Sequence, residues 1–274
     1  MALCFWQSVR KRYRVQWSRP LPDGCSPSTV TIKLDRRCRW HVSLLVDNPN
    51  IQPLSVSTKS VGLDVGITSL LTTSDGEKIA NPKHFKRHRR QLKSVQKALT
   101  RKKKGSNNRH KARVKVARVH GKIADSRKDF LHKLTTQLVR DNQTIVVEDL
   151  SVKNMVKNHK LALAISDAAW SELVRQLDYK CKWYGRTLVK IDRWFPSIKR
   201  CGSCGHIVES LPLNIREWDC PKCGTHHDRD INAARNILAA GLAVKVCGAN
   251  IRPNGHESIG QLRKTRKGRK QKPK

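Results

Sequence analysis

Apolar residues along this chain repeat with two periods, and the points where the period changes divide it. Before residue 60 the pattern is that of strands. Residues 12–17 (RYRVQW), 28–34 (STVTIKL) and 39–46 (RWHVSLLV) alternate or concentrate β-branched side chains, with turn residues at Pro20-Leu21-Pro22-Asp23-Gly24 and Asp35-Arg36-Arg37 between them. Three strands bury little area, so the 1–60 segment needs something to pack on. Residues 61–71 then read as a buried strand that Ser74-Asp75-Gly76-Glu77 turns back onto a short partner. Further strands are predicted at 144–147 and 187–195. Helical spacing takes over at 84–104 and 109–141, either side of Gly105-Ser106-Asn107-Asn108. The second of these helices stacks Ala112, Val116, Val119, Ile123, Leu131, Leu134 and Leu138 on one face. A third helix, 166–183, turns Ala169, Trp170, Leu173 and Leu177 inward and stops at Gly185. A fourth runs from about Asp230 to Ala240 and stops at Gly241. Strands interleaved with helices indicate an α/β fold.

Charge narrows the partners. The 274 residues suit about two modest domains, and 57 Lys and Arg against 21 Asp and Glu leave a formal charge of +36. An excess of that size marks polyanion binding, DNA or RNA. Two surfaces carry it: the non-apolar faces of the 84–141 hairpin (Arg109, Lys111, Arg113, Lys115, Arg118, Lys122) and the β segment (Arg12, Arg14, Lys33, Arg37, Arg39). Beyond Arg252 a Lys/Arg-rich stretch with Gly and Pro reads as a disordered basic tail, 252–274.

No apolar run approaches the roughly 18 residues that would span a bilayer. The N-terminal MALCFWQSVRKR places its charge after its apolar stretch, the reverse of a secretory signal. The expectation is a soluble protein of the cytoplasm, nucleoid-associated, with no membrane partner.

Nine cysteines divide into an ordered set and a scattered one. Cys4, Cys25, Cys38, Cys181 and Cys247 cannot all pair, which argues for a reducing compartment. Cys201, Cys204, Cys220 and Cys223 form two C-x-x-C pairs 15 residues apart, the spacing of a tetrahedral zinc site, with Gly205 and Gly224 at the turns. Four sulfurs leave no open position, so the zinc is structural, and His206, His226 and His227 nearby are not needed as ligands.

Three carboxylate motifs carry the candidate chemistry: Asp64 in VGLDVGITSLL, Glu148 in IVVEDL (with Asp149 beside it), and Asp230 in HDRDINAARNI. The first two close apolar strands, and the glycines flanking Asp64 would admit a substrate backbone. Asp228 and Asp230 stand where helix-capping aspartates also stand. Acids delivered by separate elements to one place are what divalent-metal phosphodiester chemistry requires.

The ordered set GLDVGITSLL, IVVEDLSVKNM, DRWFPSIKRCGSCG, WDCPKCGTHHDRDINAARNILAAG resembles the TnpB (OrfB) proteins of bacterial insertion sequences, related to miniature type V CRISPR effectors; the resemblance runs from about residue 10 to about Gly241. It implies a RuvC-like, RNase H-type nuclease domain (61–195 and 224–245, with the hairpin 84–141), a zinc ribbon inserted at 196–223, and a partial wedge β-barrel before them (1–60). It further implies RNA-guided DNA cleavage with a transposon-derived guide RNA, the acids Asp64, Glu148 and Asp230 holding two magnesium ions. Relative to the family pattern, a first wedge strand and a helical recognition lobe are missing from the N-terminus, so the expected form is a short member.

The alternative is a non-cleaving nucleic-acid binder that regulates its element. A strand-transferring transposase would need a tyrosine beside paired histidines, a setting that Tyr13, Tyr179 and Tyr184 do not have.

Overall fold

A computed structural model describes residues 6–8, 11–13, 15–18, 20–21, 23–47, 51–212 and 214–246. The basic tail, Cys4, Cys247, Arg14 and the start of the N-terminal stretch lie outside the described residues.

The β segment is two separate antiparallel hairpins, not one three-stranded sheet. β1 (Trp6–Ser8) pairs β2 (Lys11–Tyr13), and β3 (Thr29–Leu34) pairs β4 (Trp40–Leu45). Residues 15–17 form no strand. Alternation in β3 and β4 collects Ile32, Leu34, Trp40 and Val42 on one face, and all four are exposed.

The main sheet has five strands in the order β7-β6-β5-β8-β9. They are β5 (Ser60–Val65), β6 (Ser69–Thr73), β7 (Lys78–Ala80), β8 (Thr144–Glu148) and β9 (Thr187–Ile191). The run 61–71 is therefore a hairpin rather than a single strand. Gly66 bonds its N–H to Leu70 O at 3.2 Å, and a Cβ at Gly66 would come within 2.8 Å of Ser69 O. β7, β6 and β5 are antiparallel, whereas β5, β8 and β9 are parallel. The C-terminal ends of β5, β8 and β9 consequently lie along one edge of the sheet.

A central parallel strand is covered on both faces, and its alternate residues show by what. Val61, Leu63, Ile145 and Val147 join a core with Leu131, Leu134, Leu138 and Val139 of α2 (Asn107–Asp141) and Leu173, Leu177 and Cys181 of α5 (Trp170–Trp183). Gly62 and Val146 face the other way, onto α6 (Arg229–Val246). A Cβ at Gly62 would strike Ala234 O, and one at Gly241 would strike Val146 Cγ1. This corrects two expectations. Helix α6 continues through Gly241 because that glycine is a packing position, not a C-terminal stop. Gly62 serves helix-on-sheet contact rather than substrate approach.

The remaining helices differ from the sequence pattern at their ends. α1 (His84–Thr100) stops before residue 104. α2 begins at Asn107, inside the expected breaker, because Ser106 Oγ accepts the Arg109 N–H at 3.2 Å and caps it. α2 serves two cores: Val119 and Ile123 pack with Leu92 of α1, while its C-terminal half enters the sheet core. The expected helix 166–183 is two, α4 (Ala162–Ala168) and α5, broken at Ala169 with φ 54°. A short α3 (Val152–Met155) follows β8, and β9 ends at Ile191, four residues before Phe195. A two-stranded sheet, β10 (Glu217–Asp219) with β11 (His226–Asp228), leads directly into α6.

Candidate active site and cysteine metal centre

Register brings the first two acids together. β5 and β8 pair up to Leu63↔Val147, so the next residue on each strand, Asp64 and Glu148, emerges side by side at the C-terminal edge, on the face that α6 covers. The first turn of α6 carries Asp230. The charges of Glu148 and Asp230 both act on Asp64; with burial as the larger cause they push its carboxyl up to about 8, against a smaller lowering by Arg229. Burial also raises Glu148. Three acids from β5, β8 and α6 thus converge.

Each acid is held differently. Ser197 Oγ donates to Glu148 Oε1 at 2.5 Å. Arg216 Nη1 lies 3.4 Å from Asp230 Oδ2, and the buried Arg229 Nε lies 3.3 Å from Oδ1. Asp228, which stands in the sequence where a helix-capping aspartate would, accepts the Asp230 and Ile231 N–H groups at 3.1 and 3.0 Å and pairs with Lys78 at 2.6 Å. It is the N-cap of α6. Asp149 is exposed and pairs with Arg193 at 2.9 Å.

The four predicted cysteines meet. Cys201 Sγ lies 3.7 Å from Cys223 Sγ, Cys204 Sγ lies 3.6 Å from Cys220 Sγ, and all four sulfurs fall within 4.8 Å of one another. A tetrahedron with Zn–S bonds of about 2.3 Å has edges of about 3.8 Å, so the set fits a zinc ion. Both knuckles share one geometry. Gly205 N–H bonds Cys201 O at 2.9 Å and Gly224 N–H bonds Cys220 O at 2.8 Å, each glycine at positive φ (76° and 72°). Among the described residues, this is the one cluster of at least three Cys, His, Asp or Glu whose ligand atoms lie so close; the three acids form a more open group. Cys25, Cys38 and Cys181 are free thiols elsewhere.

The sequence reading missed the connections between the two sites. Asn236 Nδ2 donates to Ser197 O (2.8 Å) and Arg200 O (2.6 Å). Asn232 donates to Arg200 O (2.7 Å) and accepts the Gly202 N–H (2.9 Å). The two asparagines sit one turn apart on α6, and their pairing with the 197–202 loop ties the first knuckle to Glu148. His227, set aside as unneeded, is buried with Nε2 3.0 Å from Cys201 Sγ and its ring tilted on Trp218. It is a hydrogen-bond partner of a cysteine rather than a fifth ligand. The N-A-A-R-N spacing was the available signal for the asparagines; Ser197 carried none.

The basic surfaces are partly redistributed. Between His84 and Ala124 there is no Asp or Glu, and Lys111, Arg113, Lys115, Arg118 and Lys122 are exposed. Arg109 instead caps α1, donating to Leu99 O (3.2 Å) and Lys102 O (3.0 Å). Arg37 pairs with Asp35 (2.7 Å) and Asp125 (2.6 Å), docking the β3–β4 hairpin on α2 beside Gly121, and Arg39 joins the same acids. Lys33 remains exposed. No helix among the described residues is long and apolar enough to cross a membrane.

Comparison with known proteins finds matches over most of the chain. Residues 43–159 match the OrfB_IS605 family, described as "Probable transposase", and residues 170–237 match the "Cas12f1-like, TNB domain". A Streptomyces pristinaespiralis protein whose name designates an RNA-guided DNA endonuclease is 62% identical over 244 residues, covering 89% of this chain and 60% of that protein. InsQ of Escherichia coli (strain K12), similarly named, is 36% identical over 225 residues, 77% of this chain and 56% of that protein. The chain thus spans 60% or less of the length of these curated relatives. A solved CRISPR-Cas12f ternary complex matches with TM-score 0.51 and 21% identity over 76% of this chain and 44% of that one. A Cas12f1-sgRNA-target DNA complex matches with TM-score 0.50, 17% identity and 76% coverage of this chain. The likeness to the solved structures is one of fold, a mixed α/β arrangement.

Proposed function

Because the chain belongs to the transposon-associated OrfB (TnpB) family, we propose that it is an RNA-guided DNA endonuclease. Asp64, Glu148 and Asp230 would be the acids of a RuvC-like, RNase H-type site. The observation that carries this reading is the convergence of those carboxylates from β5, β8 and α6, close enough that Glu148 and Asp230 hinder ionisation of Asp64. Like charges gathered at a sheet edge and only partly balanced by Arg216 and Arg229 suit hard divalent cations with oxygen ligands, magnesium above all. Bound by these three side chains, two such ions would supply Lewis-acid polarisation of a phosphodiester and lower the pKa of an attacking water.

The chain's own groups have distinct parts in this scheme. Asp64 and Glu148, on adjacent strands, fix one side of the site, and α6 sets Asp230 against them. Ser197 fixes one oxygen of Glu148. Arg216 and Arg229 balance Asp230. The exposed cations of α1 and α2 would run along nucleic-acid backbone, while pairing with a transposon-derived guide RNA would select the DNA target. Cys201, Cys204, Cys220 and Cys223 would hold a structural zinc in a ribbon inserted before α6, and the 1–60 hairpins would belong to a wedge β-barrel.

The test is cleavage of a matched target by the purified chain with its transposon-end RNA, with and without the N-terminal lobe of a longer relative. Asp64→Ala, Glu148→Ala and Asp230→Ala should each abolish magnesium-dependent cutting about as fully as the triple change, with binding retained, because the ligands act as a unit. Cutting that survives Asp64→Ala would refute the site. Binding without cutting under every condition would favour the regulatory binder.

A further inference from the structure

The loop after β9 presents one large apolar side chain to solvent. Trp194 is 83% exposed, and among the described residues no aromatic ring or cation contacts it. Its neighbours are all fastened. Arg193 pairs with Asp149 at 2.9 Å, and Asp192 Oδ1 accepts the Trp194 N–H at 2.7 Å. Phe195 packs against the cluster of Val146, Ile191 and Ile237 beneath α6. Ser197 is buried and bonds Glu148. The backbone under the indole is therefore fixed at four points while the indole itself faces solvent.

The position of this loop matters as much as its exposure. Glu148 is the register partner of Ile191, and Asp149 N–H bonds Ile191 O at 3.0 Å, so the loop leaves the sheet at the edge where Glu148 ends its strand. Among the described residues, the other exposed tryptophans have local explanations. Trp183 packs edge-on against Tyr179 with ring centroids 4.7 Å apart, and Trp40 belongs to the apolar face it shares with Ile32, Leu34 and Val42. Trp194 has neither kind of neighbour.

A rigidly mounted aromatic face beside a phosphodiester site suits the π-face of a nucleobase. Bases inside a duplex already stack on each other, so only an unpaired base can take the indole. We propose that Trp194 is a stacking platform for an unpaired base of single-stranded DNA, seating the strand whose backbone enters the Asp64–Glu148–Asp230 site. Lys190, exposed four residues earlier in the chain, is a positive charge that the fold leaves open to the adjoining phosphates. The proposal rests on the reading of that acid group as the place where DNA is cut, which is why DNA rather than RNA is assigned.

The experiment measures binding, not cutting. The full chain carrying Asp64→Asn is titrated with a thymidine-rich single-stranded DNA containing one 2-aminopurine, without added magnesium and at raised salt to weaken phosphate contacts. Trp194→Ala should lower affinity about tenfold, the scale of one base–aromatic stack, and Trp194→Phe should stay within about twofold of the parent. Quenching of 2-aminopurine on binding should be lost with Trp194→Ala and kept with Trp194→Phe. Unchanged affinity and quenching in Trp194→Ala would overturn the platform. So would an equal loss on duplex DNA, or a loss confined to single-stranded RNA. Because no cleavage is read, failure of the acid assignment in the cutting assay and failure of the stack here are separately visible.

Discussion

Ser197 Oγ donates a 2.5 Å hydrogen bond to Oε1 of Glu148, although 49 residues separate them in sequence. Asn236 fixes the Ser197 carbonyl from the helix that carries Asp230. Ser197→Ala should therefore free the Glu148 carboxylate to rotate. The magnesium concentration for half-maximal cutting should rise severalfold and the maximal rate fall about tenfold, with Ser197→Thr recovering most of both. A magnesium titration of cleavage by the three proteins checks this; identical curves would assign Ser197 to loop folding alone.

The raised pKa of Asp64 has a definite sign in stability. The group titrates at about 8 in the fold and at about 4 in the unfolded chain. Between those values the folded state holds a proton that the unfolded state has lost, so stability falls as pH rises through the window. Asp64→Asn removes this term. Without magnesium, its melting temperature should gain on the parent steadily from pH 4 to pH 8, reaching several degrees, and added magnesium should narrow the gap by stabilising only the parent. Calorimetric melts across pH settle the sign.

Replacing Cys204 by Ser should release one zinc per chain and loosen the 201–223 segment. The sequence alone suggests that this would leave Asp64 chemically untouched. The bonds from Asn232 and Asn236 to Gly202, Arg200 and Ser197 indicate otherwise. Cutting should drop at least tenfold even where nucleic-acid binding persists. Metal analysis run beside cleavage and binding assays tests the coupling, which zinc loss with full activity would disprove.

Reversing the charge of exposed Arg113, Lys115 and Arg118 should weaken DNA and RNA binding across sequences alike and flatten the salt dependence of affinity. Reversing Arg109 should act differently, because its guanidinium caps α1. That change should lower the melting temperature. Affinity against salt concentration, read beside thermal melts for the two variants, separates backbone contact from hairpin support.

What could be read from the sequence was whatever depends on neighbours in the chain. Val61–Leu63 and Ile145–Val147 announce buried strands, and an acid one step beyond each is visible at once. The cysteine spacing likewise gave a site whose sulfurs do meet. Legibility ended where partners are distant. Arg37 and Arg39 read as free positive charge until Asp125 of α2 appears beside them. Ser197 is an ordinary loop serine until β9 lays it next to Glu148. Ala169 looks like one more helical alanine, and only its positive φ shows that α4 and α5 are separate. The 61–71 run failed for a different reason: two buried strands joined by a tight turn have the same hydropathy as one.

Gly62 lets the backbone of α6 lie directly on β5, and Gly241 lets the same helix settle onto the Val146 side chain of β8. Helix and strands then behave as one plate, and the spacing of Asp230 from Asp64 is set by the thickness of a bare backbone contact. Selection on this protein should accordingly guard two positions with no functional group as strictly as the acids. A methyl group there acts as a shim, lifting Asp230 away from its partners with every charge still in place.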